Sequence, residues 1–338
     1  MKYVGVDLHK NQFSVYWKVE EGKGIFEEYP MTAKGIEDFK KKLDRWTEVG
    51  IEATGNSRYF YDSIVKEVKK VRIINPGQFK VISESVKKTD RKDAEVIAEY
   101  LSKGLLPEVR VMGKENRELK SLIQTRDKLV KLRSTLKNKI HGILMEHGIM
   151  SRREMFSSEK ALEEIRNAKV SETSQFEIGI IVDQIKWLTE GIKKIEEKIK
   201  EKGEGLKGQK NLQSITGIGK LSSTIILSNI GDIKDFEDSK KLCAYAGLVP
   251  RVYDSNESIR HGRITKRGDK ILRTTLVQVA LISIKYNSYL RSFYERIKQK
   301  KGSGKAIIAT ARKMLSIIYD TLKNDWIFED FNNFVLAK

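Results

Sequence analysis

The sequence predicts an α/β domain with a mixed sheet, then long central helices, then a mostly helical C-terminal region. Three observations carry this. Short β-rich runs alternate with helical spacing over the first hundred residues. Two charged segments without proline follow, Lys114–His147 and Glu172–Lys202. From about Leu206 the chain again becomes apolar and helical in spacing.

The elements justify themselves in order. Lys2–Leu8 reads as a strand through Tyr3, Val4 and Val6, with Asp7 near its end. Gln12–Val19 alternates Phe13, Val15 and Trp17, and Gly24–Tyr29 reads as a third strand. Thr32–Trp46 has helical spacing at Ile36, Phe39 and Leu43. Gly50–Ala53 is a short strand closed by the turn residues Thr54, Gly55 and Asn56. Tyr59–Val68 reads as a helix, Val71–Ile74 as a strand, and Asn75-Pro76-Gly77 as a stop. Thr89–Lys103 reads as a helix with Thr89 as N-cap and Asp90 in its first turn. In Glu172–Lys202, the residues Ile178, Ile181, Ile185, Leu188, Ile192, Ile195 and Ile199 step by three and four, which predicts a coiled-coil seam. In Lys114–His147, Leu122, Leu129, Leu136 and Ile143 recur every seven residues, with Arg126 and Arg133 interrupting the other seam position. The two segments form either an antiparallel hairpin or a contact with another subunit. Further on, Asp254–Asp269 reads as a polar, basic loop, and Ile271–Ile284 and Lys305–Lys323 as helices. The expected boundaries are residues 1–110, 111–205 and 206–338.

Charge narrows the partners. Lys and Arg number 65 against 46 Asp and Glu, a formal charge of +19 over 338 residues. That excess points to a polyanion, most commonly nucleic acid. A hydrophobic content of 39% is that of a folded chain. No apolar run has transmembrane length and the N-terminus reads as a strand, so a soluble intracellular protein with no membrane partner is expected. Cys243 is the single cysteine, which excludes a disulfide framework and a cysteine zinc site.

Two groups of residues have chemical potential. Asp7 on the first strand, Glu52 at the end of the fourth, and Asp90 and Asp93 three apart on one helix face can converge if strands one and four are neighbours. A single acid at a strand end is ordinarily solvated or capping, but four in this order form a more specific pattern. Converging carboxylates repel, and Mg²⁺ or Mn²⁺ with oxygen ligands is the natural offset. Such ions serve phosphodiester chemistry. His9 lies two residues beyond Asp7 and can touch a metal or phosphate, although a structural role is the simpler reading. The second group is basic: Arg260, Arg263, Lys266, Arg267, Lys270 and Arg273 face one acid, Asp269, while Gly262 and Gly268 leave room for a phosphate chain. Lys10 lies beside the acidic pattern. The turn Thr216–Lys220 contains Gly217, Gly219 and Lys220; it either grips a phosphate as a helix-hairpin-helix does or is a tight structural turn. His141 and His147 read as seam or surface residues, and Ser255, on local sequence, as a turn serine.

Together, Gly5-Val6-Asp7-Leu8-His9-Lys10, Ile51-Glu52-Ala53-Thr54-Gly55 and Thr89-Asp90-Arg91-Lys92-Asp93-Ala94 resemble the DEDD transposases of bacterial insertion sequences. Ala246-Gly247-Leu248-Val249-Pro250, Ser255 and Gly262-Arg263-Ile264-Thr265-Lys266-Arg267-Gly268 resemble their C-terminal transposase domain. The resemblance implies a ribonuclease-H-like N-terminal fold of the Holliday-junction-resolvase kind, with Asp7, Glu52, Asp90 and Asp93 as metal ligands. It implies a serine nucleophile, Ser255. Asn256 stands where that family usually has glycine, and Asn tolerates the same left-handed backbone; Ser258 is a weaker rival. It also implies donor and target DNA as partners, a guiding bridge RNA and a bacterial cytoplasmic setting; a homodimer or homotetramer fits a reaction that joins two duplexes. Rival readings are a resolvase-like nuclease that only hydrolyses, an inert nucleic-acid scaffold, and a DNA invertase of the same family.

Overall fold

In the computed structural model, the described residues are 1–18, 24–74, 79, 89–108, 111–255 and 258–328, and the chain divides into two compact units, Met1–Val111 and Met112–Lys338.

The first unit is built on a five-stranded mixed sheet: β1 (Lys2–Leu8), β2 (Gln12–Lys18), β3 (Ile25–Pro30), β4 (Thr47–Glu52) and β5 (Lys70–Ile74), in the order β3-β2-β1-β4-β5. The first three strands form an antiparallel meander, and β4 and β5 run parallel to β1. Strands one and four are therefore neighbours, as convergence of the acids requires. Helices α1 (Ala33–Lys40), α2 (Ser57–Ile64) and α3 (Asp90–Ser102) complete the unit. One core contains Val4, Val6, Phe13, Val15, Ile36, Phe39, Val49, Ile51, Phe60 and Ile64. Val4 and Val6 share one strand face, and Gly5 and Asp7 the other. Helix α1 is shorter than its apolar spacing predicts. It ends at Lys40, and Leu43 packs on the core from the turn that follows. Helix α3 starts where predicted: the Thr89 hydroxyl accepts from the Lys92 N–H, and Asp90 and Asp93 occupy the first turn.

The second unit opens with α4 (Lys114–Glu146), α5 (Glu159–Arg166) and α6 (Glu172–Gly203). Helices α4 and α6 pack antiparallel, since Lys202 pairs with Glu118, Arg126 with Glu196 and Lys139 with Glu177. The predicted seam on α6 is buried at Ile178, Ile181, Ile185, Leu188, Ile192 and Ile199. Its partners at the distal end are Ile140, Ile143, Leu144 and α5, all from the same chain. This corrects the alternative that the seam is an intersubunit contact, because these side chains are already out of solvent within one chain. The two arginines that interrupt the seam reach across it. Arg126 Nε and Nη2 donate to Glu196 Oε1 at 2.8 and 2.6 Å, and Arg133 Nη1 donates to Thr189 Oγ1 at 3.1 Å.

The remaining helices are α7 (Gln209–Gln213), α8 (Lys220–Ile230), α9 (Ser239–Tyr245), α10 (Lys270–Tyr286), α11 (Ser288–Lys301) and α12 (Ser303–Lys323). Their core includes Leu212, Ile226, Leu242, Leu248, Leu272, Leu276, Met314 and Ile318. The hairpin end joins them where Leu119, Ile123 and Ile199 meet Ile225. The predicted loop 254–269 is different in the structure. Its first part belongs to an antiparallel ribbon of β6 (Pro250–Ser255) and β7 (Ser258–Ile264). Among the described residues, no helix is long and apolar enough to cross a membrane.

Candidate active site

The acidic cluster is assembled by a strand pair and a helix that presses on it. Parallel pairing of Gly5 with Gly50 and Val6 with Ile51 sets Asp7 beside Glu52 at the next register position. Helix α3 crosses the sheet face that carries Gly5 and Asp7. A side chain at residue 5 has no room: its Cβ would stand 2.5 Å from Ala98 N and closer still to Ala94 O. Asp90, Ala94 and Ala98 form one i, i+4 stripe, rising about 6 Å per step. The two-residue step from Gly5 to Asp7 spans about 6.6 Å. With the two alanines over Gly5, Asp90 comes over Asp7.

The distances bear this out. His9 Nε2 lies 3.1 Å from Asp7 Oδ2 and 3.2 Å from Asp90 Oδ2, and the ligand atoms of the three residues all fall within 4.8 Å of one another. Asp7 and Asp93 are buried, whereas Glu52 and Asp90 are half-buried. Burial pushes the Asp7 carboxyl up to about 6; the charge of His9 opposes this, and Asp93, Asp90 and Glu52 add to it. All four predicted acids therefore act on one point, with Asp7 at the centre.

His9 is held from outside the cluster. Its N–H donates to Gln12 O at 2.9 Å, and its carbonyl accepts from Asn56 Nδ2 at 2.7 Å. Asn56 Oδ1 in turn accepts from the Thr54 hydroxyl at 2.7 Å. The turn after β4 thus fixes the turn after β1. Sequence favoured a plainly structural role for His9; its neighbour Asp90 lies 81 residues away, a distance that spacing cannot show. Lys10 is exposed in the same turn.

This donor set fits a hard divalent cation. Four carboxylates and an imidazole gather at one place, and the buried Asp7 carboxylate is driven toward its neutral form by burial and by its acidic neighbours. A cation would relieve both effects.

The basic positions lie in the second unit. Ser255 ends β6 with its backbone opposite Ser258, and Arg260 pairs in register with Tyr253. The side chains of Ser255 and Arg260, and the whole of Asn256, lie outside the described residues. Arg263, Lys266, Arg267 and Lys270 are exposed. Arg273 is half-buried and its Nη1 donates to Ala246 O at 3.2 Å and Gly268 O at 2.9 Å. Gly268 has φ +125°, and a Cβ there would meet the Tyr245 carbonyl, so the room this glycine leaves is filled by the protein itself. Asp269 caps α10 by accepting from the Ile271 and Leu272 N–H groups and pairs with Lys120 at 3.1 Å. Burial raises its carboxyl, but the Leu272 N–H and Lys120 outweigh that and hold it below the usual range.

In the turn before α8, Gly217 has φ +98° and packs on α10, where Ser283 donates to Thr216 O at 2.6 Å. Gly219 is exposed and its N–H donates to Ser222 Oγ at 2.9 Å. Lys220 is exposed and lies 3.3 Å from Glu204. His147 Nδ1 lies 2.9 Å from Ile143 O, and His141 pairs with Ser151, both local to the helical hairpin.

Comparison with known proteins finds two matched regions. Residues 4–149 match a DEDD model of IS110 type described as "Transposase", and residues 209–295 match the "Transposase IS116/IS110/IS902 family". The chain is similar to the transposase for insertion sequence element IS1111A of Coxiella burnetii, at 29% identity over 95% of this chain and 90% of that protein. It is similar to a probable family 20 transposase of Pseudomonas aeruginosa at 27% identity, covering 95% and 97% respectively. A pilin gene-inverting protein of Moraxella bovis is 37% identical over 122 residues, 35% of this chain and 38% of that protein. With both matched regions in order along one chain and relatives aligned over nearly its whole length, the protein belongs to the IS110/IS116/IS902 family of transposases, enzymes that cleave and rejoin DNA.

Proposed function

We propose that this transposase moves a DNA element by metal-dependent strand cleavage and exchange, with Asp7, Glu52, Asp90 and Asp93 holding Mg²⁺ or Mn²⁺ in a ribonuclease-H-like domain and Ser255 acting as nucleophile. The observation that carries the reading is the convergence of the acids on Asp7, with its carboxyl pushed up to about 6. The order β3-β2-β1-β4-β5, with a meander followed by two parallel strands, supports the fold assignment.

When bound, the cation supplies charge neutralisation and activation of an attacking or leaving oxygen. The chain's own residues do the rest. The Ser255 oxygen attacks phosphorus, the P–O3′ bond breaks, and a phosphoserine and a free 3′-hydroxyl result. A 3′-hydroxyl of the second duplex then attacks the phosphoserine, restores the phosphodiester and releases the serine. One bond replaces another at each step, so no nucleotide energy source enters. Arg260, Arg263, Lys266 and Arg267 offset phosphate charge, and Lys10, Gly217, Gly219, Lys220, Lys270 and Arg273 complete the nucleic-acid contacts. A homodimer or homotetramer brings two duplexes together, and a bridge RNA pairs with donor and target DNA while the protein reads backbone. The charge of +19 supports polyanion partners of this kind.

The test is a strand-exchange assay with co-purified nucleic acid, donor DNA, target DNA and Mg²⁺ on wild type, Asp7→Ala and Ser255→Ala. Loss of joined product in both variants, with a denaturant-stable protein–DNA adduct absent from Ser255→Ala, is expected. Full activity of Ser255→Ala beside a dead Asp7→Ala sinks the serine step and leaves a metal-only nuclease or transposase. A second reading, inversion of a resident DNA segment, is favoured by the likeness to the Moraxella pilin gene-inverting protein. An inverted-site substrate that recombines in place of donor–target joining distinguishes it.

A further inference from the structure

We propose that His9 is a nitrogen ligand of the divalent cation and makes the cluster prefer Mn²⁺ over Mg²⁺. The proposal rests on the metal-cluster reading above and extends it to a residue outside the four acids.

The geometry of the donor atoms is the argument. Ligands at right angles around a cation with bonds of about 2.1 Å stand about 3.0 Å from each other. His9 Nε2 stands 3.1 Å from Asp7 Oδ2 and 3.2 Å from Asp90 Oδ2, close to those spacings. The backbone on which the imidazole sits is fixed at both its N–H and its carbonyl, by Gln12 and by the Asn56–Thr54 pair. His141 and His147 contrast with it: each makes a local contact in the helical hairpin, with Ser151 and the Ile143 carbonyl. His9 alone of these three has carboxylates for company.

The chemistry then sets metal preference. Mg²⁺ takes oxygen ligands and keeps its waters, whereas imidazole suits transition ions. In the ligand role Nε2 gives its lone pair to the cation and the ring proton sits on Nδ1. Removing the imidazole should therefore weaken Mn²⁺ far more than Mg²⁺. Asn56 acts through His9 as a positioning residue.

The experiment measures Mn²⁺ and Mg²⁺ binding by calorimetry on the full chain for wild type, His9→Ala and Asp7→Asn, together with pulsed EPR of the Mn²⁺-loaded wild type. Expected are a loss of Mn²⁺ affinity on the order of tenfold in His9→Ala with Mg²⁺ affinity nearly unchanged, and a ¹⁴N coupling to Mn²⁺ in wild type. The coupling needs no variant, so a misfolded His9→Ala does not blunt the test. Unchanged or tighter Mn²⁺ binding in folded His9→Ala, or an EPR signal without ¹⁴N coupling, overturns the proposal. If Asp7→Asn abolishes binding while folded His9→Ala keeps wild-type Mn²⁺ affinity, His9 is only a hydrogen-bond partner and the metal cluster stands. If wild type binds neither ion, the cluster reading and the His9 proposal both fall.

Discussion

Gly5 lies directly under Ala94: no Cβ fits on Gly5, because it would fall against the Ala94 carbonyl and 2.5 Å from Ala98 N. The close approach of strand and helix brings Asp90 to His9 and Asp7 two residues further along. Replacing Gly5 with Val must push α3 off the sheet. Overpacking of this kind costs about 1–3 kcal/mol. Urea unfolding of Gly5→Val should show that loss, and calorimetry should show weakened divalent-cation binding although no ligand has changed. Intact cation affinity in a folded variant would mean that Gly5 does not set the cluster.

Asp7 gives a pH-dependent stability with a definite sign. Its carboxyl is raised from 3.8 to about 6, chiefly by burial. Between those values the folded state binds the proton more than the unfolded state does, so stability falls as pH rises through this window. The contribution is whole below about pH 4 and lost above about pH 6. A rise of this size corresponds to about 3 kcal/mol. In the presence of a chelator, Asp7→Asn should therefore melt higher than wild type at pH 7.5 and close to it at pH 4. Added Mn²⁺ should stabilise wild type and leave the variant unmoved.

Both results depend on features that the sequence shows unequally. Thr89, Asp90 and Asp93 announce a capped helix and a shared face through local spacing, and that is how they stand. Asp7 and Glu52 were recognisable as strand-end acids, but their meeting needs the parallel register of β1 and β4, which short-range pattern does not contain. The role of Gly5 is invisible in the same way, because its neighbours Ala94 and Ala98 are some ninety residues off. The α6 seam is plain in its isoleucines, whereas its partner had to come from the structure: Arg126 and Glu196 are 70 residues apart. The β6–β7 ribbon is hidden in the sequence because charged residues on β7 mask any apolar alternation. Helix α11 carries a helical signal of its own, with Leu290, Phe293, Tyr294 and Ile297 at helical spacing, although Leu290 is its one buried residue.

The intrachain seam makes a prediction that differs from that of an oligomer contact. Ile185 is 1% exposed and packed among residues of its own chain. Ile185→Asp places an unpaired carboxylate there, and a loss of about 4 kcal/mol or more is expected. The melting temperature should fall without becoming dependent on protein concentration, and the mass in solution of the folded fraction should stay that of wild type. Dissociation of a folded oligomer into folded monomers would contradict the hairpin.

Arg126 tests the same hairpin through its polar contact. Both of its donors reach one Glu196 oxygen, and each side chain is about one-quarter exposed. Charge-assisted bonds of this type exceed an exposed surface pair, but partial exposure screens them. A double-mutant cycle with Arg126→Ala and Glu196→Ala should therefore give a coupling of about 1 kcal/mol. Arg126→Leu at this seam-interrupting position replaces the bond with apolar packing but leaves Glu196 half-buried and without its arginine. It should be destabilising alone and recover when Glu196 is also made Leu. Chemical denaturation of the six proteins, wild type included, measures both. A single Arg126→Leu that is already as stable as wild type would mean that the arginine contributes nothing to the seam that leucine cannot.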